Sequence, residues 1–451
     1  MDLKTAFNIG CIITLFVLGL PPASAGAKPA PPQTPLNAEG EKLLARYSAT
    51  LATAQAELAA AIPTIDQQKK AAFLKAYTDE AATLAGELKT MHAQAKAKDK
   101  QAAAKALAAA KEARALATTS AVAPSKAILA DLQQFLANDQ LDAKLAKCVV
   151  LIDATPRGLS EFAQQGPDAQ ALVQQLLADP ALMKQMLLAG GAKGGRYAQA
   201  MQIYTAIRNT SPKAGEGLFQ RLALAISLEH ASPVAQSNPA DQPNAPATVD
   251  PVKRYLHFEK AWLDNELDPA FKDLTAWEYR NVVNGDEPDQ TLAWGRQMLR
   301  NYRPDHISTP DFRWRYVAAV KTEVKYGSQE VKNDLPSLQK YQNIIANGGV
   351  CGRRAFFGRF ILRSFGIPTV ARPQPGHATL AHWTPTGWVI CLGANWGWGR
   401  IDNNSDLDFL AMTQARKNEP AYLQVQRAQW IGAALGEKRA FGFHSAPSGF
   451  W

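Results

Sequence analysis

Along most of the chain, apolar residues recur at three- and four-residue spacing, which predicts amphipathic helices rather than strands. Between 37 and 120 the sequence is dominated by Ala, Lys, Glu, Gln and Leu, all strong helix formers. Pro63 divides this stretch into at least two helices, because a proline inside a helix lacks the amide donor and collides with the preceding turn. Thr64 is the expected cap of the second. The run KAKDKQAAAKALAAAKEARA has only a thin stripe of Ala and Leu, too weak for a core alone, so it is expected to pack as a helical hairpin or project as a stalk. From 121 to 231 the stripe is richer, in AILADLQQFLA, ALVQQLLADPALMKQMLLAG and YAQAMQIYTAIRN, and predicts a helical core. The run CVVLI at 148–152 also fits a short buried strand. Gly190-Gly191 and Gly194-Gly195 punctuate helices; GGAKGG lacks the ending of a phosphate loop and reads as a turn. His230 closes the helix LFQRLALAISLEHA, where a cation suits the helix dipole.

The pattern then breaks. Residues 232–251 (SPVAQSNPADQPNAPATVDP) read as an exposed loop or interdomain linker, and 252–451 as a second domain of different composition. Trp262, Trp277, Tyr279 and Trp294 lie on helical patterns over 253–303, with further helices expected over 316–326 and 333–345. Such aromatic residues on helices are read as packing. After the helix AFFGRFILRSF, which stops at Gly366 before Ile367-Pro368, the period shortens: strands are expected over 369–372, 377–383 and 388–395. Thr384-Pro385-Thr386-Gly387 suits a three-residue hairpin loop with Thr384 opposite Trp388. Counting back from there sets His377 opposite Asn395 on one sheet face and His382 on the other.

The first residues change the expected compartment. Lys4, the apolar stretch 9–20 and the small-x-small triplet Ala23-Ser24-Ala25 read as a signal peptide, 1–25, cleaved after Ala25. A Pro-rich linker follows over 26–36. The apolar stretch is short for a membrane span and no other run approaches the roughly 20 residues needed, so a secreted or periplasmic protein without an integral membrane segment is expected. Of the four cysteines, Cys11 lies in the leader, leaving Cys148, Cys351 and Cys391, an odd set in an exported chain. Either all three are small buried residues, or Cys351 is a nucleophile while Cys148 and Cys391 are buried singly or bonded together. At 451 residues, with 47% hydrophobic and 20% charged, the chain can bury the cores of two or three domains. Its formal charge of +9 suits either a basic soluble protein or an anionic partner such as a cell-wall polymer, nucleic acid or acidic lipid. No nucleic-acid partner is expected, because acidic residues interrupt the lysines of the Ala-rich run and no aromatics are interleaved for base stacking.

The candidate chemistry sits in GGVCGRRAFFGRFILRSFGIPTVARPQPGHATLAHWTPTGWVICLGANW, residues 348–398. Cys351 falls in the first turn of a helix, where amides and the helix dipole favour thiolate, and Arg353 and Arg354 add positive charge. His377 is the expected base and Asn395 its orienter. Arg353 and Arg354 are candidates for an anionic substrate group, or solvated surface charge. Trp383, Trp388, Trp396 and Trp398 either floor a cleft or pack the sheet. No metal or cofactor is expected: the seven histidines are scattered, and His377 and His382 alternate faces.

This stretch resembles the transglutaminase-like superfamily, relatives of papain-type thiol enzymes. GGVCGRRAFFGRFILRSFGIPTVAR resembles the nucleophile helix and the arginine-glycine-isoleucine-proline type segment after it, and GHATLAHW with the following Gly387-Trp388 resembles the histidine strand and its partner. The resemblance implies an α+β fold, a helical N-terminal region followed by a nucleophile helix packed on an antiparallel sheet. It also implies Cys351 as nucleophile and His377 as general base. Where the family usually carries an aspartate, this chain has Leu392, Gly393 and Ala394, with Asn395 the nearest polar residue and Asp402 further on. The function expected is attack of a thiolate on an amide or peptide carbonyl of a protein or peptide substrate, with hydrolysis preferred over transfer to an amine. The alternatives are an inactive binding or scaffold module of the cell envelope, and a helical scaffold with Cys351 in a disulfide.

Overall fold

A computed structural model describes residues 34–237, 246–302, 304, 350–372, 377–391 and 404–437. The expected leader, the helices expected over 316–326 and 333–345, and Asn395, Trp396, Trp398 and Asp402 lie outside these residues. Among the described residues the protein is mostly helical, with 15 α-helices and one small three-stranded antiparallel sheet near the C-terminal part. No described helix is long and apolar enough to cross a membrane. The chain divides into two compact units, 1–156 with 414–451, and 157–413.

The first unit is built from α1 (Ala38–Ala61), α2 (Gln67–Lys96), α3 (Lys100–Ala137), α4 (Asp142–Ala154) and α15 (Glu419–Ala434). Pro63 does separate two helices, but the second is capped by Asp66, whose carboxylate accepts from the amides of Gln68 and Lys69 at 2.9 and 3.0 Å, rather than by Thr64. α2 and α3 form the helical hairpin expected of the Ala-rich run. α2 buries Phe73, Tyr77 and Leu84, and α3 buries Ala121, Ser125, Ile128 and Leu132, along this hairpin. α3 runs through Pro124, losing a ladder bond, because buried residues on both sides of the proline keep packing against α2. The 148–152 run is helix rather than strand. α4 buries Leu145, Cys148, Val149, Val150 and Leu151 on several sides, lying between α1 and α15, so its apolar run reflects enclosure and not a two-residue period. Arg427 of α15 closes this unit: it is 5% exposed, donates to both carboxylate oxygens of Asp142 at 2.7 and 2.9 Å, and reaches the Leu136 carbonyl at 2.8 Å.

The second unit begins with short helices α5 (Pro156–Ala163), α6 (Pro167–Ala178), α7 (Pro180–Leu188) and α8 (Tyr197–Thr210), then the central α9 (Gly217–His230). Every residue from Leu222 to His230 is buried, as in a helix enclosed on all sides. The break expected at 232–251 falls inside this unit: α9 before it packs on α10 (Pro251–Leu263) and α11 (Ala276–Val283) after it. An exposed, Pro-rich connection marks only a loop when the helices on either side bury their apolar faces against each other. α12 (Asp289–Tyr302) and α13 (Cys351–Ser364) complete the helical layer, and β1 (Thr369–Ala371), β2 (Leu380–His382), β3 (Val389–Cys391) and α14 (Asn404–Lys417) follow.

The loop between α11 and α12 is where these helices are tied together. Arg254, fully buried on α10, donates to Asp289 and to the carbonyls of Val283, Gly285 and Glu287. Glu287 accepts from Arg363 of α13 at 3.0 Å. Burial pushes the Glu287 carboxyl up, but Arg363 and Arg254 more than offset this and hold it below the usual range. A Cβ on Gly285 would collide with the Glu287 carboxylate and displace it from Arg363.

His230 differs from its expected role as a helix-end cation. It is 4% exposed and its Nε2 meets the Val283 carbonyl at 3.0 Å. Burial, then the charge of Arg254, bring its pKa from 6.5 down to about 4, so the ring is neutral at pH 7 and gains nothing from the dipole.

Two outcomes follow from these buried charges. Asp142→Ala, which strands the Arg427 guanidinium, should cost about 3–5 kcal/mol in urea unfolding, whereas Arg427→Met combined with Asp142→Leu should cost far less. Because unfolded His230 binds its proton more tightly than folded His230, its stabilisation is complete above about pH 6.5 and is lost as pH falls towards 4. His257 shifts in the same sense, to about 3, through burial and Arg296, and adds to the same loss as pH falls below 6.5. Urea midpoints of the full chain should therefore decline between pH 6.5 and 4.5, and His230→Gln should flatten that decline.

Candidate active site

α13 is positioned by burial along its length and a defined stop at its end. Ala355, Phe357, Phe360, Ile361 and Leu362 are buried, and the helix packs on α11, α12, β1 and β2. Gly366 takes φ +77°, with its amide on the Arg363 carbonyl and the Ile367 amide on that of Leu362, both 2.9 Å. This is the glycine-terminated helix end that the sequence predicts. The last turn is anchored twice more: Arg363 on Glu287, and Arg296 of α12 on the Ser364 carbonyl at 2.9 Å and on Glu266 at 2.9 Å.

Cys351 is the first residue of α13, as expected, following an extended Val350 that provides no capping side chain. The sheet has the order β1-β2-β3, with Thr369 opposite His382 and His382 opposite Val389. A Cβ placed on Gly352 would lie 3.9 Å from the Cβ of Ala378, so the residue after Cys351 and the residue after His377 face each other with room for about one methyl group between them. The start of the helix thus abuts the segment that carries His377. Cys351 and His377 are both half-buried, whereas the thiol of Cys148 is fully buried and pushed up to about 11 by that burial. Neither Cys148 nor Cys351 is part of a disulfide.

The hairpin register differs from the sequence reading by one residue. Thr384 and Gly387 exchange backbone hydrogen bonds of 3.0 Å in both directions, leaving the two-residue loop Pro385-Thr386. The Thr384 hydroxyl explains the early closure: it donates to the Gly387 carbonyl at 2.6 Å and accepts the Gly387 amide at 3.1 Å. Leu380 accordingly opposes Cys391, and the count that set His377 against Asn395 loses its premise.

The remaining candidates divide. Arg353 is half-buried at the helix start, but Arg354 is only 4% exposed and is not solvated surface charge. Trp383 is buried and its indole N–H donates to Glu278 at 2.7 Å. Trp388 packs edge-on to Trp277 and Phe409. Both therefore belong to the packing of the sheet, as does His382 at 1% exposure on the middle strand. Sequence reasoning missed Glu278, which closes a capping box with Thr275 at the start of α11 while holding Trp383. The Thr-x-x-Glu spacing before AWEYRNVV was its available signal. It also missed Gly295 on α12, where a Cβ would lie 2.6 Å from Phe360 and 2.7 Å from Ser364 of α13.

Comparison with protein-family models, curated proteins and solved structures finds no match to this chain.

The close approach at Gly295 makes the seating of the cysteine helix testable. Gly295→Ala should cost about 1–3 kcal/mol through overpacking and lower the melting temperature, because Phe360 and Ser364 are both buried and have little room to yield. An unchanged melting temperature would show that α13 is not held by this contact.

Proposed function

We propose that residues 350–391 carry the thiol site of an exported transglutaminase-like enzyme that cleaves amide or peptide bonds. The observation that supports this most directly is that a Cβ on Gly352 would come within van der Waals distance of Ala378, so that the first turn behind Cys351 lies near the segment of His377. In this reading the Cys351 sulfur, its proton taken by His377, adds to the carbonyl carbon. The tetrahedral adduct collapses with expulsion of the amine, which receives that proton from His377, and leaves a thioester on Cys351. Water, deprotonated by His377, then releases the acid and restores the thiol; an amine in place of water would give a crosslink. First-turn amides of α13 are suited to bear the developing oxyanion, with Arg353 beside them for an anionic substrate. Asn395 is retained as the proposed orienter of His377.

A second reading, an inactive binding module of the cell envelope with the same fold, gains support from the observed register, which no longer sets Asn395 across from His377. One set of measurements separates the two. Brief alkylation of the native protein near neutral pH, read by peptide mapping, should modify Cys351 well ahead of Cys148. Amide hydrolysis measured over a panel of peptide and protein substrates should disappear in Cys351→Ala and fall by about 10²–10⁴-fold in His377→Ala. Equal labelling of the two thiols, or hydrolysis that survives Cys351→Ala, would sink the enzyme reading. Fast labelling without hydrolysis would favour the binding module.

A further inference from the structure

The α2–α3 hairpin ends in a tip that the thiol chemistry does not use. Its buried seam stops at Leu84 on one helix and begins at Thr118 on the other, and no described side chain from 85 to 117 is buried. Two contacts close the neck: Thr118 donates to Glu80 at 3.0 Å, and Arg114 pairs with Glu87 at 3.0 Å. Beyond them, residues 88–113 hold six lysines against two acids, Asp99 and Glu112. Asp99 already caps α3, accepting from the amides of Gln101 and Ala102 at 3.0 Å, so its charge is directed at the helix rather than at the lysines. Lys89, Lys98, Lys100 and Lys105 are exposed, and among the described residues none forms an ion pair.

Charge alone would suit any polyanion. The apolar residues narrow the choice. Leu88 and Met91, one helical turn apart on α2, are 38% and 44% exposed, and Leu116 across the hairpin is 69% exposed. Binding to phosphates in water has no use for exposed Leu and Met beside the lysines. A bilayer surface uses both, the lysines meeting anionic headgroups while the apolar side chains enter the boundary with the acyl chains. Stretch 85–117 contains no Phe, Tyr or Trp on which bases could stack.

We propose that the tip of the α2–α3 hairpin, centred on Leu88, Lys89, Met91, Lys98, Lys100 and Lys105, docks the protein peripherally on an anionic phospholipid surface. The proposal is independent of the thiol reading. It is tested by co-sedimentation of the full chain with vesicles of phosphatidylcholine containing about 30% phosphatidylglycerol, against pure phosphatidylcholine, in about 0.1 M and 0.5 M salt. Binding is expected on the anionic vesicles alone and should weaken in the higher salt. Each lysine at such a surface contributes roughly fivefold to partitioning, so Lys→Gln at 89, 98, 100 and 105 together should reduce binding by on the order of several hundredfold. Leu88→Asn with Met91→Asn alters only exposed side chains, leaves the charge intact and should reduce vesicle binding by about tenfold or more. Circular dichroism should show both variants as helical as the parent. The proposal is overturned by equal binding to neutral vesicles or by vesicle binding that the Leu88/Met91 variant retains in full. It is likewise overturned if duplex DNA or another soluble polyanion binds as tightly as the vesicles.

Discussion

The second unit depends on one buried loop, between Val283 and Asp289. Arg254 gathers three of its carbonyls and the Asp289 carboxylate, and Glu287 passes the connection to Arg363 on α13. An arginine with no exposed surface is tolerable only when its donors are met, and here the loop supplies the acceptors that its own irregular backbone would otherwise leave unpaired. The same carbonyl of Val283 also receives His230 from α9. Three helices distant in sequence, α9, α10 and α13, are therefore fixed in relation to one short turn. The local field follows: Arg254 helps keep His230 neutral and helps keep Glu287 charged.

This arrangement gives the cysteine helix its rigidity from the rear. Arg363 and the Ser364 carbonyl are tied to Glu287 and Arg296, and Gly366 turns the chain away with φ +77°, so the last turn of α13 has little freedom. The front is different. Val350 brings no capping oxygen, and Cys351 stands half-buried where the helix begins. The helix is thus held along a packed body and at its last turn, while its first turn is the less enclosed end. Cys148 shows the opposite environment, enclosed in α4 with its thiol raised to about 11.

Much of the helical architecture was legible because it is local. Pro63, the Ala-rich run, the stop at Gly366 and the place of Cys351 in a first turn all follow from backbone geometry and propensities that act within a few residues. What was not legible depends on partners far along the chain. Nothing near CVVLI says that α1 and α15 will enclose it, so a buried helix and a buried strand looked alike. His230 occupies the right position for a dipole contact, but Arg254 and Val283, which make it neutral, arrive later in sequence. Residues 232–251 fit an exposed loop or an interdomain linker equally well in sequence, because composition reports exposure of a connection and not whether the helices on either side pack together, as α9 does with α10 and α11.

The hairpin register is the most instructive difference because a hydroxyl decides it. Proline and glycine at Pro385 and Gly387 are compatible with loops of two or three residues, and propensity alone does not choose. The Thr384 side chain chooses by bonding both polar backbone groups of Gly387, closing the turn at that pair. A shift of one residue exchanges the faces of every later side chain on the returning strand. His377 still lies in the segment beside the cysteine helix, since that placement comes from Ala378 and Gly352 and not from the turn. Its third partner was inferred through the turn and inherits the shift. The nearness of Cys351 and His377 therefore rests on the approach of a helix to a strand segment, while the expected pairing of His377 with Asn395 rests on a count that one threonine hydroxyl changes.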